Sequence, residues 1–357
     1  QYPHLIDIND YPISWWNKII RLGHDIKLHP QRYSHACVGK IMATLFYEPS
    51  TRTQMSFQSA MIRLGGNIIG FDNPSTSSVS KGESLKDTTK IVSSYSDILI
   101  IRHPQPGAAK AAALTADCSV VNAGDGGHLH PTQTLTDLLT LHEEKGRLDN
   151  LNVGLCGDLV NGRTVHSLCK ALSAYSGNTF VLVSTPNLRL PSYVKDIITA
   201  SGSRYTEVSS LDEVINDLDM LYMTRIQRER FASEAEYLAE KDTYVLDKKK
   251  LKKSRRDMIV MHPMPRVDEI SVDVDEDERA VYFKQAKYGM YVRMALIMTL
   301  LESGSPTNLL KGAVRNGIGC QNPVCITNSE QYLPKSFYGA GDTLECEYCD
   351  ERILLEH

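Results

Sequence analysis

Apolar positions along the chain follow two alternating periods. Short apolar runs predict buried strands at residues 98–101, 151–156, 180–183, 220–223 and 258–261. Elsewhere apolar residues recur at intervals of three and four, which predicts amphipathic helices at residues 133–142, 165–175 and 284–303, and one that begins near Thr53. Because the strands alternate with helices, we predict parallel sheets built from βαβ units.

The last predicted helix is followed by a change in composition. Gly304 and Pro306 come directly after it and are typical of a helix end. Beyond them the chain is rich in Gly, Pro, Asn and Cys, so we predict a domain boundary near residue 305. For 357 residues the expected fold is α/β, with two doubly wound parallel-sheet domains and a small β-rich C-terminal domain. The predicted limits are 1–146 completed by the helix 284–304, 147–283, and 306–357.

The helix near Thr53 begins with a cluster of polar groups. Ser50 or Thr51 can act as its N-cap, and Pro49 stiffens the entry. Hydroxyls, free backbone N–H groups and the guanidinium of Arg52 all favour an anion, and arginine matches phosphate oxygens in a bidentate manner. Taken alone, the segment fits an ordinary capped helix with a surface arginine equally well.

Composition and charge exclude several classes of partner. Apolar residues make up 42% of the chain and the formal net charge is −4, so no overall positive field would attract nucleic acid. The basic run at residues 248–256 is expected to be a solvated loop. No apolar run approaches the roughly 20 residues of a membrane span, and no signal-peptide core is visible. We therefore expect cytoplasmic residence without a membrane partner, and the start at Gln1 leaves the true N-terminus open.

The eight cysteines fall into two groups. Four are scattered and are expected to be small buried apolar residues, namely Cys37, Cys118, Cys156 and Cys169. The other four form two close pairs near the C-terminus, namely Cys320 with Cys325 and Cys346 with Cys349. This spacing is typical of a structural Zn²⁺ site, with one ion per chain. Disulfides are the alternative, which the expected cytoplasmic residence disfavours.

Four motifs occur in a fixed order along the chain, namely Ser50-Thr51-Arg52-Thr53, Arg102-His103-Pro104, His130-Pro131-Thr132-Gln133 and His262-Pro263-Met264-Pro265-Arg266. Over residues 1–305 this series closely resembles the carbamoyltransferase family. The segments 77–83, 163–167 and 222–227 are similar to the aspartate-specific members of that family. Ornithine-specific members are expected to carry a cysteine at the position of Pro263, which argues against ornithine as the substrate.

The resemblance implies transfer of a carbamoyl group from carbamoyl phosphate to the amine of L-aspartate, a step of pyrimidine biosynthesis that needs no cofactor for catalysis. It makes 1–146 the carbamoyl phosphate-binding domain and 147–283 the aspartate-binding domain. The residues implied to bind carbamoyl phosphate are Ser50, Thr51, Arg52, Thr53, Arg102, His130 and Gln133. Among these, Thr53, Arg102 and His130 are expected to act on the carbonyl oxygen, and Gln133 is expected to bind the carbamoyl amide.

The aspartate residues are also implied by the resemblance. Arg163 and Arg225 would each clamp one carboxylate, and Gln227 would support that pocket. The backbone carbonyls of Met264 and Pro265 would accept from the substrate amines. The family usually has leucine at the position of Met264, and a backbone role tolerates that change.

Ser77 and Lys81 lie on a polar loop that in the family reaches into the neighbouring subunit's site, where the lysine contacts the substrates. A homotrimer with shared sites is therefore expected, and a higher assembly of such trimers stays open. The alternative is a flexible surface loop.

The C-terminal segment resembles the zinc domain of the regulatory chain of aspartate carbamoyltransferase. The nucleotide-binding domain that normally precedes this zinc domain is missing, so the resemblance does not carry nucleotide regulation over. Two alternative functions stay open at this point. One is a carbamoyltransferase for another amino acid, and the other is a catalytically silent scaffold that retains the fold.

Overall fold

The computed structural model describes residues 3–228, 231–241, 243–302, 309–339 and 342–354. The chain divides into two compact units, of which the first spans Gln1–Thr132 with Met290–His357 and the second spans Gln133–Gly289. The predicted helix end at Gly304 and Pro306 and the boundary near residue 305 lie outside the described residues. The limits 146/147 and 283/284 remain predictions.

The first unit contains a four-stranded parallel sheet with the order β2-β1-β3-β4. Its strands are β1 (Ile41–Phe46), β2 (Asn67–Phe71), β3 (Ile98–His103) and β4 (Ser119–Asp125). Its helices are α1 (Ile13–Leu28), α2 (Thr51–Arg63), α3 (Leu85–Tyr95) and α4 (Ala108–Thr115). All seven residues of β4 and all but one of β1 are buried, as expected for parallel strands covered on both faces.

The second unit contains a five-stranded parallel sheet with the order β7-β6-β5-β8-β9. Its strands are β5 (Asn152–Cys156), β6 (Thr179–Val183), β7 (Arg204–Val208), β8 (Met220–Met223) and β9 (Ile259–Met261). The helices along this part of the chain are α5 (Pro131–Lys145), α6 (Arg163–Ser173), α7 (Ser192–Ala200), α8 (Glu234–Glu240), α9 (Lys248–Leu251) and α10 (Tyr282–Glu302). The boundary between the units falls inside α5 and inside α10.

Two predictions about individual segments have different outcomes. The basic run at 248–256 is not a solvated loop throughout, because α9 occupies its start and buries Leu251. The prediction for the scattered cysteines is confirmed, since all four are buried and none forms a disulfide. Burial raises the pKa of Cys118 and of Cys156 to about 12 in each case. No helix within the described ranges combines the length and the apolar character that a membrane crossing requires.

The C-terminal segment forms a four-stranded antiparallel sheet with the order β10-β11-β12-β13, which confirms its predicted β-rich character. Its elements are β10 (Ala313–Val314), α11 (Ile326–Ser329), β11 (Ser336–Tyr338), β12 (Thr343–Cys346) and β13 (Arg352–Leu354). It belongs to the first unit, because Ile326, Phe337 and Tyr348 share one apolar cluster with the alanines of α4.

Gly107, the residue before α4, packs against Tyr348 and Ile326 of the C-terminal segment. It has a φ of +86°, and a Cβ built on it would lie 2.6 Å from the Cβ of Tyr348. A side chain at this position would therefore be strained by its own backbone and would also collide with its neighbour.

The substitution Gly107→Ala is expected to lower the unfolding free energy by about 2–5 kcal/mol. About 1–2 kcal/mol comes from the left-handed backbone, and about 1–3 kcal/mol comes from overpacking against Tyr348. The matched control is Gly39→Ala, because Gly39 has a φ of +79° and nothing within 4 Å of an added Cβ. Calorimetric melting of both variants measures the difference, and equal losses would contradict this account of the packing.

Candidate active site

In the first unit, polar groups collect where the strand order reverses. The chain passes from β1 to β2 on one side and then returns to β3 on the other, so the carboxyl ends of β1 and β3 flank a switch point. The segment Ser50–Thr53 follows β1, and Arg102 on β3 is paired with Phe46 in the β1 register. His130 follows β4, the next strand in the sheet. The segment Ser50–Thr53, Arg102 and His130 therefore lie at one edge of this sheet.

The helix that carries the first motif begins at Thr51, two residues earlier than predicted, with Ser50 at the N-cap position. The Ser50 side chain does not cap the backbone, because its Oγ donates to the Thr53 Oγ1 at 3.1 Å. Thr53 is buried, whereas Thr51 and Arg52 are exposed. The first turn of α2 thus offers backbone N–H groups, hydroxyls and a guanidinium in a setting that favours an anion.

Arg102 is a fixed and mostly buried cation. Its Nη1 donates to the carbonyl oxygen of Ala123 at 3.0 Å, and its Nε lies 3.2 Å from a Glu48 carboxylate oxygen. Burial lowers the pKa of Arg102 below its ordinary value, and the opposing charge of Glu48 offsets only part of this effect. An arginine stays protonated under such conditions, so the side chain presents a poorly hydrated positive charge beside Arg52.

His130 is 8% exposed and is held through contacts that sequence reasoning did not identify. Its Nδ1 lies 3.5 Å from the Thr132 Oγ1, which in turn accepts from the Arg293 Nη2 at 3.2 Å. Arg293 also donates to the Ser56 Oγ at 3.0 Å, and its guanidinium lies 4.9 Å from the centre of the Phe57 ring. Its sequence signal is a lone charge within an otherwise apolar stretch of α10.

In the second unit the strand order reverses between β5 and β8, which creates a second switch point. Arg163 begins α6 after β5, and Arg225 and Gln227 follow β8. The buried Asp158 joins the two segments, since its carboxylate accepts from the backbone N–H groups of Asn161 at 3.0 Å and Gln227 at 3.4 Å. The two predicted arginines therefore lie at neighbouring strand ends.

Asp137 on α5 is fully buried and organises the side chain of Gln133. Its carboxylate accepts from the Gln133 Nε2 at 2.9 Å, the Gln285 Nε2 at 2.8 Å and the Tyr222 hydroxyl at 2.9 Å. Burial, followed by the charge of Asp137, raises the pKa of Tyr222 well above its ordinary value. Because a carboxylate only accepts, the Gln133 amide nitrogen must face it, which leaves the Oε1 as the acceptor end for a ligand N–H.

The turn at Met264 and Pro265 is held by a buried pair. The His262 Nε2 donates to the Glu269 Oε1 at 2.6 Å, and the His262 Nδ1 accepts from the Met264 backbone at 2.7 Å. Burial raises the pKa of Glu269, but the interactions with His262 and with backbone N–H groups together outweigh burial, so the net shift of this pKa is downward. Met264 has a left-handed backbone with a φ of +57°. The carbonyl groups of Met264 and Pro265 are therefore presented from a fixed turn.

Two short 3-10 turns lie between β2 and α3, with Ser77 joining them and Lys81 ending the second. The Ser77 Oγ donates to the Pro74 carbonyl oxygen at 2.8 Å and accepts from the Val79 N–H at 3.3 Å, while Lys81 is exposed. These bonds are local to the loop. They give it a defined conformation without tying Ser77 to the edge of the sheet.

The four C-terminal cysteines converge. Their sulfur atoms all lie within 4.8 Å of one another, with Cys320 to Cys349 at 3.5 Å and Cys325 to Cys346 at 4.0 Å. A tetrahedral ion with metal–sulfur bonds of about 2.3 Å requires sulfur–sulfur distances of about 3.8 Å. All four side chains are buried, and they fit one metal ion in thiolate coordination.

Three family models match the chain. Residues 3–143 match the aspartate/ornithine carbamoyltransferase, carbamoyl-P binding domain, and residues 149–300 match the Asp/Orn binding domain of the same family. Residues 312–356 match the aspartate carbamoyltransferase regulatory chain, metal binding domain.

Individual relatives agree with these matches. The aspartate carbamoyltransferase catalytic subunit of Clostridium perfringens is 58% identical over 299 residues, which cover 84% of this chain and 97% of the relative. Among solved structures, the catalytic subunit of M. jannaschii aspartate transcarbamoylase has a TM-score of 0.79 at 44% identity, covering 84% of this chain and 98% of that one. The Trypanosoma cruzi aspartate transcarbamoylase in complex with carbamoyl phosphate and aspartate has a TM-score of 0.78 at 38% identity, with coverages of 84% and 97%.

The substitution Asp137→Asn is expected to lower the unfolding free energy by about 2–3 kcal/mol. It places an amide N–H₂ against buried donors, and each donor left unsatisfied costs about 1–3 kcal/mol. Tyr222→Phe is the matched control, since it removes one donor, leaves the carboxylate intact and should cost about 1 kcal/mol. Urea denaturation compares the two variants. A loss for Asp137→Asn no larger than that for Tyr222→Phe would argue against the carboxylate as the organising group.

Proposed function

Because the chain belongs to the aspartate/ornithine carbamoyltransferase family, we propose that it transfers the carbamoyl group of carbamoyl phosphate to the amine of L-aspartate, yielding N-carbamoyl-L-aspartate and phosphate. One observation carries the choice of aspartate. The second unit has two arginines at adjacent strand ends, and two carboxylates need two such cations. The ammonium group of an ornithine side chain would be repelled by an arginine there, because it needs a carboxylate as its partner.

Residues of the first unit, together with Gln133, are proposed to bind carbamoyl phosphate. Ser50, Thr51, Arg52 and Thr53 hold the phosphate at the start of α2, where N–H groups and positive charge favour an anion. Arg102 contacts both the phosphate and the carbonyl oxygen. Gln133 accepts from the carbamoyl amide through its Oε1, because Asp137 occupies its nitrogen.

The second unit is proposed to bind aspartate. Arg163 and Arg225 each clamp one carboxylate, and Gln227 supports them from its place beside Asp158. The backbone carbonyls of Met264 and Pro265 accept from the substrate amines.

The reaction follows from these roles. The neutral amine of aspartate attacks the carbonyl carbon, a C–N bond forms, and one electron pair moves onto the carbonyl oxygen. Thr53, Arg102 and His130 stabilise this oxyanion with fixed donors. The oxyanion collapses, the C–O bond to phosphate breaks, and the departing phosphate takes the amine proton. Rate enhancement therefore depends on proximity and electrostatics, and no side chain is required as a strong base.

Assembly and context extend the proposal. Ser77 and Lys81 complete the site of a neighbouring subunit, which makes the working form a homotrimer with shared sites. The reaction belongs to pyrimidine biosynthesis in the cytoplasm. The four clustered cysteines hold one structural Zn²⁺ per chain, which adds folding free energy to the C-terminal segment and takes no part in the chemistry.

An assay with carbamoyl phosphate and either L-aspartate or L-ornithine tests the reaction. We expect N-carbamoyl-L-aspartate as the product with aspartate, and no product with ornithine. His130→Ala should lower kcat roughly a hundredfold, the cost of one lost oxyanion donor. The matched control is His35→Ala, because His35 is an exposed histidine of the same unit and should leave kcat unchanged.

Three outcomes of the assay are decisive. Product from ornithine alone would identify a carbamoyltransferase for another amino acid. No product from either substrate would favour the silent scaffold. An unchanged kcat in His130→Ala would remove this residue from the catalytic set while leaving the reaction in place.

Metal analysis tests the cysteine site. Protein purified without added metal should contain about one zinc per chain, the stoichiometry of four thiolates around one ion. Removal of the metal by a chelator should lower the melting temperature, because binding energy that is available only to the folded segment is lost. Cys118→Ser is the control, since Cys118 lies outside the cluster and its replacement should leave the zinc content unchanged. Four titratable thiols with no zinc would refute the site.

A further inference from the structure

Asp125, the last residue of β4, is buried and shapes the loop that leads to His130. Its carboxylate accepts from the backbone N–H of Leu129 at 2.9 Å, from that of Gly107 at 2.8 Å and from the Asn122 side chain at 3.2 Å. Leu129 directly precedes His130 in the chain. One carboxylate therefore sets the backbone position from which His130 projects.

His128 adds a second connection to the same carboxylate. Its Nδ1 lies 3.0 Å from Asp125 Oδ2, and its Nε2 lies 2.8 Å from Asp350 Oδ2. The imidazole thus bridges two acidic side chains, one at the end of β4 and one in the C-terminal segment. Its side chain is only 13% exposed.

Asp350 occupies an unusual backbone position. It follows Cys349, its N–H donates to the Cys346 carbonyl oxygen at 2.9 Å, and its φ of +62° lies in the left-handed region. Glycine is the residue that adopts this conformation without cost. An aspartate at this position is therefore under backbone strain, and its side chain contacts His128.

The charge state of His128 suits this bridge. Burial alone would lower its pKa, but Asp125 and then Asp350 raise the pKa to about 10. At neutral pH both ring nitrogens carry protons, so each donates to one carboxylate. Asp7 also lies close enough to interact electrostatically with both His128 and Asp350.

We propose that His128 is a positioning residue that links the cysteine-bearing turn 346–350 to His130, and that it holds the loop 126–129 in the conformation that presents the His130 imidazole to its substrate. Only the role of His130 rests on the proposed function. The connection itself consists of contacts between His128, Asp125 and Asp350.

Two variants break the bridge from opposite ends. His128→Gln removes the positive charge and one of the two donors. Asp350→Gly removes the acceptor and at the same time relieves the left-handed backbone, so this variant is expected to fold. Lys110→Gln is the matched control. Lys110 Nζ donates to the carbonyl oxygen of Glu347 at 2.9 Å, so its replacement loosens the same C-terminal segment without removing a contact of the loop 126–129.

Kinetics give the first readout. Both bridge variants should lower kcat between about 10- and 100-fold, the cost of a small misplacement of a catalytic group, with little change in KM for aspartate. Neither substitution should lower kcat further in a His130→Ala background, because the two residues act through one group. An equal loss of kcat in Lys110→Gln, or full additivity with His130→Ala, would overturn the proposal.

Hydrogen exchange gives a readout that does not depend on the reaction. The amide of Leu129 should exchange faster in both bridge variants and at the wild-type rate in Lys110→Gln. Wild-type protein without carbamoyltransferase activity would refute the proposed function, and the exchange result would still decide the connection. Unchanged exchange at Leu129 in both variants would refute the connection even if the enzyme is active.

Discussion

The site residues depend on one constraint, which is that each parallel sheet reverses its strand order once. Parallel strands are covered on both faces, so functional polar side chains can emerge mainly where the strands end. The reversal between β1 and β3, and again between β5 and β8, separates the loops that follow these strands and opens a crevice. Each of the two units therefore carries its cationic groups at the carboxyl ends of the strands where its strand order reverses. Arg102 lies near the end of β3, beside the first of these crevices.

Buried carboxylates hold the loops that follow the strands at these two switch points. Asp125, Asp137 and Asp158 are each almost completely buried, and each accepts hydrogen bonds from segments that carry a site residue. A buried carboxylate is costly unless its acceptor positions are filled, so such a group favours a single arrangement of its donors. Charged ligand-binding groups repel one another and gain little from packing. These acceptors instead set the backbone positions before His130 and at Gln227, and the orientation of the Gln133 side chain.

The sequence motifs identified the proposed site residues, but not the residues that hold them in place. The five strands predicted from apolar runs, which are β3, β5, β6, β8 and β9, were located to within two residues, including β8 without error. The buried strands β1 and β4 were missed, because polar residues such as Thr44 and Asn122 interrupt their apolar runs. The polar edge strands β2 and β7 were not predicted, because exposed positions interrupt their apolar pattern. Gln133 could be identified from its motif, whereas Asp137 could not, since its partners Tyr222 and Gln285 are distant in sequence. Roles that depend on long-range contacts leave no local pattern to read.

The C-terminal segment is stabilised by contacts with the rest of the first unit. Its apolar residues pack with the alanines of α4 in one cluster, and Lys110 on that helix pairs with the buried Glu347 beside the cysteines. A segment this small has little core of its own, so packing on α4 must contribute to its stability, together with the proposed metal site. The same helix begins at Gly107, whose N–H donates to Asp125. Hydrogen bonds through Asp350, His128 and Asp125 thus connect the cysteine turn to the start of α4 and the end of β4. A metal-binding segment in the same chain can stabilise a strand end near the candidate site without contributing an atom to it.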